Sequence, residues 1–108
     1  MTISDLKLSV DTIDALVNRA KRGDSDYQAL AVASSVALYN QIVAHVDDIE
    51  HPDFNNRSKF YGMSKLEEAL EVCVKALNTQ DDAEQKNLFE RAVAHLINVK
   101  HNHVNPYA

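Results

Sequence analysis

The sequence is poor in the residues that make turns and cross-links. Among its 108 residues there are two glycines, two prolines, one cysteine and no tryptophan. A sandwich or barrel of short strands needs a turn signal about every 8–12 residues, so folds of that kind are not expected. The single cysteine, Cys73, cannot form an internal disulfide, which fits a reducing compartment.

The sequence also lacks a basic surplus, a secretion signal and a clean membrane span. Its net charge is −5, and non-specific nucleic-acid binding requires a basic surface, so no nucleic-acid partner is expected. The opening residues MTISDLKL have neither the basic start nor the apolar run of a signal peptide. The most apolar segment, 28–46, contains Ser34, Ser35, Asn40 and Gln41, whereas a span is almost wholly apolar. We therefore predict a soluble cytoplasmic protein without a membrane partner.

Apolar residues at helical spacing occur in four segments of the chain. In the first segment they alternate at intervals of three and four residues: Ile3, Leu6, Val10, Ile13, Val17 and Ala20. In the fourth segment the main seam is Phe89, Ala92, Leu96 and Val99, and Leu88, Val93 and Ile97 broaden it. Thr2 and Asp5 predict a capping box at its start, and Gly23 follows its last turn. A chain of 108 residues suffices for one core. We predict a single all-α domain, 1–108, forming an antiparallel four-helix bundle with helices near 3–22, 26–49, 65–78 and 82–101.

The second segment, 26–49, has apolar residues on two faces. Between Tyr27 and Val46, only His45 can carry a charge near neutral pH. A helix that is apolar over a wide arc is usually surrounded by others, so we predict that this is the central helix of the bundle. The same surplus, which extends to Val93 and Ile97 of the fourth helix, predicts an association surface and a homodimer.

A long loop, 50–63, is predicted between the second and third helices. It contains Pro52 and Gly62, and Ser64 with Glu67 predicts the capping box at which the third helix starts. Loops of this length inside a compact domain are often functional.

The predicted loop carries three of the chain's seven aromatic residues. These are Phe54, Phe60 and Tyr61, and the cationic residues Arg57 and Lys59 lie between them in sequence. One interpretation is that the aromatic side chains fold back and cover one end of the bundle. The other is that all five residues contact another protein, because aromatic residues and arginine dominate the energetics of interfaces. They are the predicted partner-binding residues.

No pattern in the sequence indicates a cofactor or a native metal centre. His95, His101 and His103 are offset by six and two residues, whereas metal ligands on one helical face are spaced i, i+4. Cys73 lies on the apolar stripe of the third helix, where a cysteine behaves as a small hydrophobic residue. No cofactor is expected.

One short motif resembles a known family. Glu67-Glu68-Ala69-Leu70-Glu71 is similar to the Glu-Glu-x-x-Glu element of the all-α nucleoside triphosphate pyrophosphatases of the MazG type. The resemblance implies that Glu67, Glu68 and Glu71 hold Mg²⁺ against a triphosphate. The family also has Glu-x-x-Asp on the next helix, but neither Glu84 nor Glu90 is followed by aspartate three residues later.

Two classes of function follow from these observations. The first is a non-enzymatic protein-binding module, such as an adaptor, an inhibitor or an immunity-type factor, that acts through a helix face or the aromatic loop. The second is a Mg²⁺-dependent nucleotide hydrolase that uses the three glutamates. The first is favoured because the second lacks half of its ligands.

Overall fold

Within residues 1–54 and 56–108, the protein folds into four α-helices, as the sequence predicts. They are α1 (Ile3–Ala20), α2 (Ser25–His45), α3 (Asn56–Leu77) and α4 (Asp82–Val99). A 3-10 turn follows α2, and a π-helical turn, Lys100–Val104, with a 3-10 turn, Asn105–Tyr107, continues α4. The structure, a computed structural model, describes residues 1–54 and 56–108, with the side chain of Asn56 left out. Within those ranges the fold contains no strand.

The four helices pack in a ring. α3 packs mainly against α4 and α1 mainly against α2, while α1 also contacts α4 and α2 also contacts α3. At one end, a small cavity is lined by Leu6 and Ser58 from the first turns of α1 and α3, by Val99 at the far end of α4 and by Val46 directly after α2. At the other end, the α1–α2 turn and the first turns of α2 and α4 line one cleft. The predicted antiparallel order of the helices, which the short turns between consecutive helices favour, stays a prediction.

The same pattern, Asp-x-x-x-Gln, closes the α1–α2 turn and the α3–α4 turn. Asp24 and Asp81 are N-caps whose carboxylates accept hydrogen bonds from backbone amides of the first helical turn. Four residues after each N-cap, a glutamine side chain donates a hydrogen bond to a carbonyl near the end of the preceding helix. Gln28 Nε2 donates to the Ala20 carbonyl at 2.9 Å, and Gln85 Nε2 donates to the Ala76 carbonyl at 3.0 Å. The last carbonyls of a helix have no intrahelical partner, so each glutamine satisfies one of them. The Asp-x-x-x-Gln pattern is visible in the sequence, but the spacing of apolar residues does not show that it closes these turns.

The core confirms the apolar seams predicted for α1 and α4. The buried residues of α1 are Leu6, Val10, Ile13, Val17 and Ala20, and those of α4 are Leu88, Phe89, Ala92, Val93, Leu96 and Val99. Ile97, predicted to broaden the α4 seam, is 46% exposed. Both helices have one continuous apolar stripe, and that stripe is the face they bury.

The prediction that the second helix is central is wrong. Only five residues of α2 are buried: Gln28, Ala31, Val32, Ser35 and Ile42. Leu30 and Val43 on the same helix are 61% and 48% exposed. A ring of four helices has no central position, so each helix keeps one face toward solvent. The apolar residues of α2 therefore exceed what its buried face requires.

The segment Ser25–Asp48 is long and apolar enough to cross a membrane, by length and composition. Its mean hydropathy is 1.4, and 28% of the most apolar window is buried in the fold. The core helix of a soluble protein and an N-terminal signal sequence can have the same length and hydropathy. The absence of a membrane partner stays a prediction.

The predicted loop 50–63 is wrong over most of its length, because α3 begins at Asn56. The predicted cap, Ser64, therefore lies inside the helix, and Asn55 lies outside the described residues. Gly62 was interpreted as a turn residue, but it permits a close approach. A Cβ built there would lie 3.0 Å from the Cβ of His103 in the C-terminal segment. The glycine thus serves packing between elements and does not end the helix.

The end of α4 is joined to α1 by an ion pair that spacing rules do not reveal. The Lys100 ammonium lies 3.1 Å from the Asp14 carboxylate and 3.2 Å from that of Asp11. Burial by itself would lower the pKa of Lys100, but the hydrogen bonds to Asp14 and Asp11 outweigh it and raise this pKa. The contact anchors the C-terminal segment, which begins at this lysine.

Candidate functional site

One end of the bundle collects four aromatic side chains from two distant parts of the chain. Phe54 is 6% exposed and meets the Tyr107 ring edge-to-face, with ring centroids 5.2 Å apart. The Tyr107 hydroxyl is 2.8 Å from Ser58 Oγ on α3. The Lys59 ammonium lies 5.7 Å from the centroid of the Phe54 ring. This inner layer closes the end of the core.

The outer layer is exposed and consists of Arg57, Phe60 and Tyr61, which we call the aromatic patch. Phe60 is 70% exposed and Tyr61 46% exposed, and their ring centroids are 5.7 Å apart in an edge-to-face arrangement. The Arg57 guanidinium lies over the Tyr61 ring at 5.6 Å. The His103 ring stacks on Tyr61 at 6.5 Å. Tyr61 is thus in contact with two neighbours on its own helix and one on the C-terminal segment.

The two interpretations of the aromatic residues apply to different members of the set. Phe54 covers one end of the bundle, and Lys59 is half-buried beside it. Phe60, Tyr61 and Arg57 are brought together on the surface by consecutive turns of α3. Sequence patterns could not separate them because the whole segment was interpreted as a loop, which has no fixed faces.

His103 belongs to this region, and sequence analysis did not identify it as part of the site. Its Nδ1 atom is buried, and no hydrogen-bond partner for it occurs among the residues described. The only charged side chain lining the adjacent cavity within the described chain is Lys59, a cation. Burial lowers the pKa of His103, because the charged imidazolium loses hydration there without gaining an acceptor.

The packing of His103 predicts a loss of stability in mild acid. The unfolded chain, with an ordinary histidine pKa of about 6.5, binds a proton before the folded chain does, so stability falls as the pH drops below that value. We expect the midpoint of thermal unfolding to fall between about pH 7 and about pH 5.5, and His103→Gln to reduce this fall. His101→Gln, at an exposed position two residues away, is the matched control. An identical pH dependence in wild type and His103→Gln would contradict the assignment.

Two of the three glutamates of the pyrophosphatase-like motif, Glu67 and Glu68, are directed to different neighbours. Glu67 accepts a hydrogen bond from the Tyr39 hydroxyl of α2 at 3.2 Å. Glu68 accepts one from Lys65 at 3.1 Å and lies 3.4 Å from His95 Nδ1 on α4. Within residues 1–54 and 56–108, no group of three His, Cys, Asp or Glu side chains is placed to hold a metal ion. The arrangement of these carboxylates therefore lends no support to the hydrolase alternative.

Cys73 lies in the core between the helices. It is 0% exposed, and burial raises the pKa of its thiol to about 12. The thiolate, which is the reactive form of cysteine, is therefore not formed near neutral pH.

In comparisons with known proteins, the sequence matches no protein-family model and no curated protein, and the fold matches no solved structure.

Proposed function

We propose that the protein is a non-enzymatic protein-binding module that engages its partner through the aromatic patch at the start of α3. The observation that carries the proposal is the exposure of Phe60, at 70%, directly beside Tyr61 and Arg57. Large apolar side chains gathered on a surface favour association, because covering them removes apolar area from water.

The patch has the composition and the rigidity of an interface hot spot. Aromatic residues and arginine make the largest contributions to binding energy at interfaces. Tyr61 is fixed by Arg57, by the Phe60 ring and by His103, so little side-chain freedom remains to be lost on binding. The inner layer, in which Phe54 meets Tyr107, lies at the same end of the bundle as the patch. Phe54 is buried and therefore not available for direct contact with a partner.

A homodimer is part of the same proposal, on a separate surface. Leu30 on α2 is 61% exposed, and α2 has no charged side chain between Asp26 and His45. An uncharged apolar helix face can pack against its own copy without opposing like charges.

The partner-binding proposal predicts a selective loss of binding. Immobilised protein would be used to capture proteins from an extract of the native host, with quantification by mass spectrometry. We expect Phe60→Ser or Tyr61→Ser to reduce capture of the specific partner about thirtyfold, the effect of losing a hot spot of about 2 kcal/mol. The thermal midpoint should change little, because both side chains are exposed.

Leu8→Ser is the matched control for this experiment. Leu8, on α1, is 69% exposed, against 70% for Phe60, so the two substitutions remove similarly exposed apolar side chains. Equal capture by wild type, Phe60→Ser and Leu8→Ser would contradict the proposal. Equal loss in both variants would show that binding follows general hydrophobicity and not the aromatic patch.

A further inference from the structure

A groove runs along the surface between α2 and α3, with a volume of about 430 Å³. Its apolar lining includes Val36 from α2 and Leu70 and Val74 from α3. Glu67 and Glu71 lie one turn apart in the same lining. The groove thus combines an apolar surface with two carboxylates.

The apolar lining continues beyond both ends of the groove. On α2, Val43 lies one heptad after Val36 and therefore on the same face. On α3, Phe60 lies one heptad before Glu67, and Leu77 lies three residues after Val74. These two residues therefore share the face of α3 that forms the groove. Among the described residues, eight large apolar side chains are exposed, and four belong to this surface: Val43, Phe60, Val74 and Leu77. From Phe60 to Leu77, α3 spans about 25 Å at 1.5 Å per residue. That length matches an amphipathic helix of four to five turns.

The electrostatic character of the groove is negative. No cation occurs among the described residues that line it, whereas two carboxylates do. The pKa of the Tyr39 hydroxyl, which donates a hydrogen bond to Glu67, responds to the same negative potential. Burial raises the pKa of Tyr39, and the negative charges of Glu67 and Glu71 raise it further. A cation placed near the middle of the groove would be stabilised by this field.

We propose that the groove binds an amphipathic helix of a partner protein, with an apolar stripe that meets Val36, Leu70 and Val74 and a lysine or arginine at its centre that pairs with Glu67 and Glu71. The inference rests on the proposed function, because Phe60 belongs both to the aromatic patch and to the end of this surface. Helices that place i, i+3/i+4 and i+7 anchors in an apolar groove are a general mode of recognition.

A second copy of the chain fits this surface poorly. Glu67 and Glu71 lie near the middle of the stripe that runs from Phe60 to Leu77. A twofold axis through the middle of that stripe would place the two glutamates of one copy opposite those of the other. Opposed like charges oppose association, whereas a basic partner helix gains from the same carboxylates. The charge pattern therefore selects a partner of opposite sign.

The test uses the full chain and two synthetic 18-residue helical peptides with the same apolar stripe. One carries two lysines beside the centre of the stripe, and the other carries two glutamates there. We expect the lysine peptide to bind at least about tenfold more tightly by fluorescence anisotropy, and the Glu67→Gln/Glu71→Gln variant to lose this discrimination. Val74→Ser should weaken binding of the lysine peptide, whereas Ile97→Ser should not. Val74 and Ile97 are 42% and 46% exposed, so the two substitutions are matched.

Three outcomes would overturn the inference: equal binding of the two peptides, binding of neither, or unchanged discrimination in the double glutamine variant. Hydrogen exchange would also be measured at rising concentrations of the protein alone. Slower exchange at residues 36–43 and 67–77 would show that a second copy of the chain occupies the groove, which would overturn the inference. Failure of the groove is distinguishable from failure of the proposed function. If Phe60→Ser and Tyr61→Ser lose the captured partner while Val74→Ser and the double glutamine variant keep it, the module stands and the groove does not.

Discussion

Replacing Phe89 by alanine should cost about 3–5 kcal/mol of unfolding free energy, a large part of the total for a domain of this size. Phe89 is 0% exposed and is one of the largest fully buried side chains described. Its removal leaves a cavity that close-packed helices fill only in part. For a domain of about 100 residues this corresponds to a fall of about 12 °C or more in the thermal midpoint.

Phe60→Ala is the control for the Phe89 substitution. It removes the same atoms from a side chain that is 70% exposed, so the free energy of unfolding should change by less than about 1 kcal/mol. Chemical denaturation of the two variants measures the difference directly. Equal destabilisation would mean that Phe60 also belongs to the core and that the aromatic patch is misassigned.

Ala31→Asp should abolish cooperative folding. Ala31 is 1% exposed, on the inward face of α2, where a carboxylate would be overpacked and left without a partner. The cost of such a group is comparable to the whole stability margin of a small domain. Circular dichroism during heating should show no sharp transition.

Ala33→Asp, two residues further along the same helix, should be tolerated at a cost of about 1 kcal/mol or less, because Ala33 is exposed. The pair of aspartate variants tests directly which face of α2 is buried. Loss of folding in both variants would restore the central helix that the sequence pattern predicted. Tolerance of both would show that neither face of α2 is packed.

The aromatic end of the bundle shows why the candidate site could be predicted only in part. The sequence singled out Phe54, Phe60 and Tyr61 by composition alone. It could not place Phe54 under Tyr107, because these rings meet through contacts between residues more than fifty positions apart. It could not place His103 either, since no local pattern brings the C-terminal segment against Gly62. Contacts of this kind depend on how the helices pack.

The sequence by itself determined the four helices, the buried stripes of α1 and α4 and the capping box of Thr2 with Asp5, because these depend on spacing and on groups a few residues apart. Only the tertiary structure decided which apolar face of α2 is buried and that α3 begins before Gly62. An apolar side chain has no preferred direction until another element covers it, and a glycine tolerates both a turn and a close helix contact. The packing of neighbouring helices selects between such alternatives.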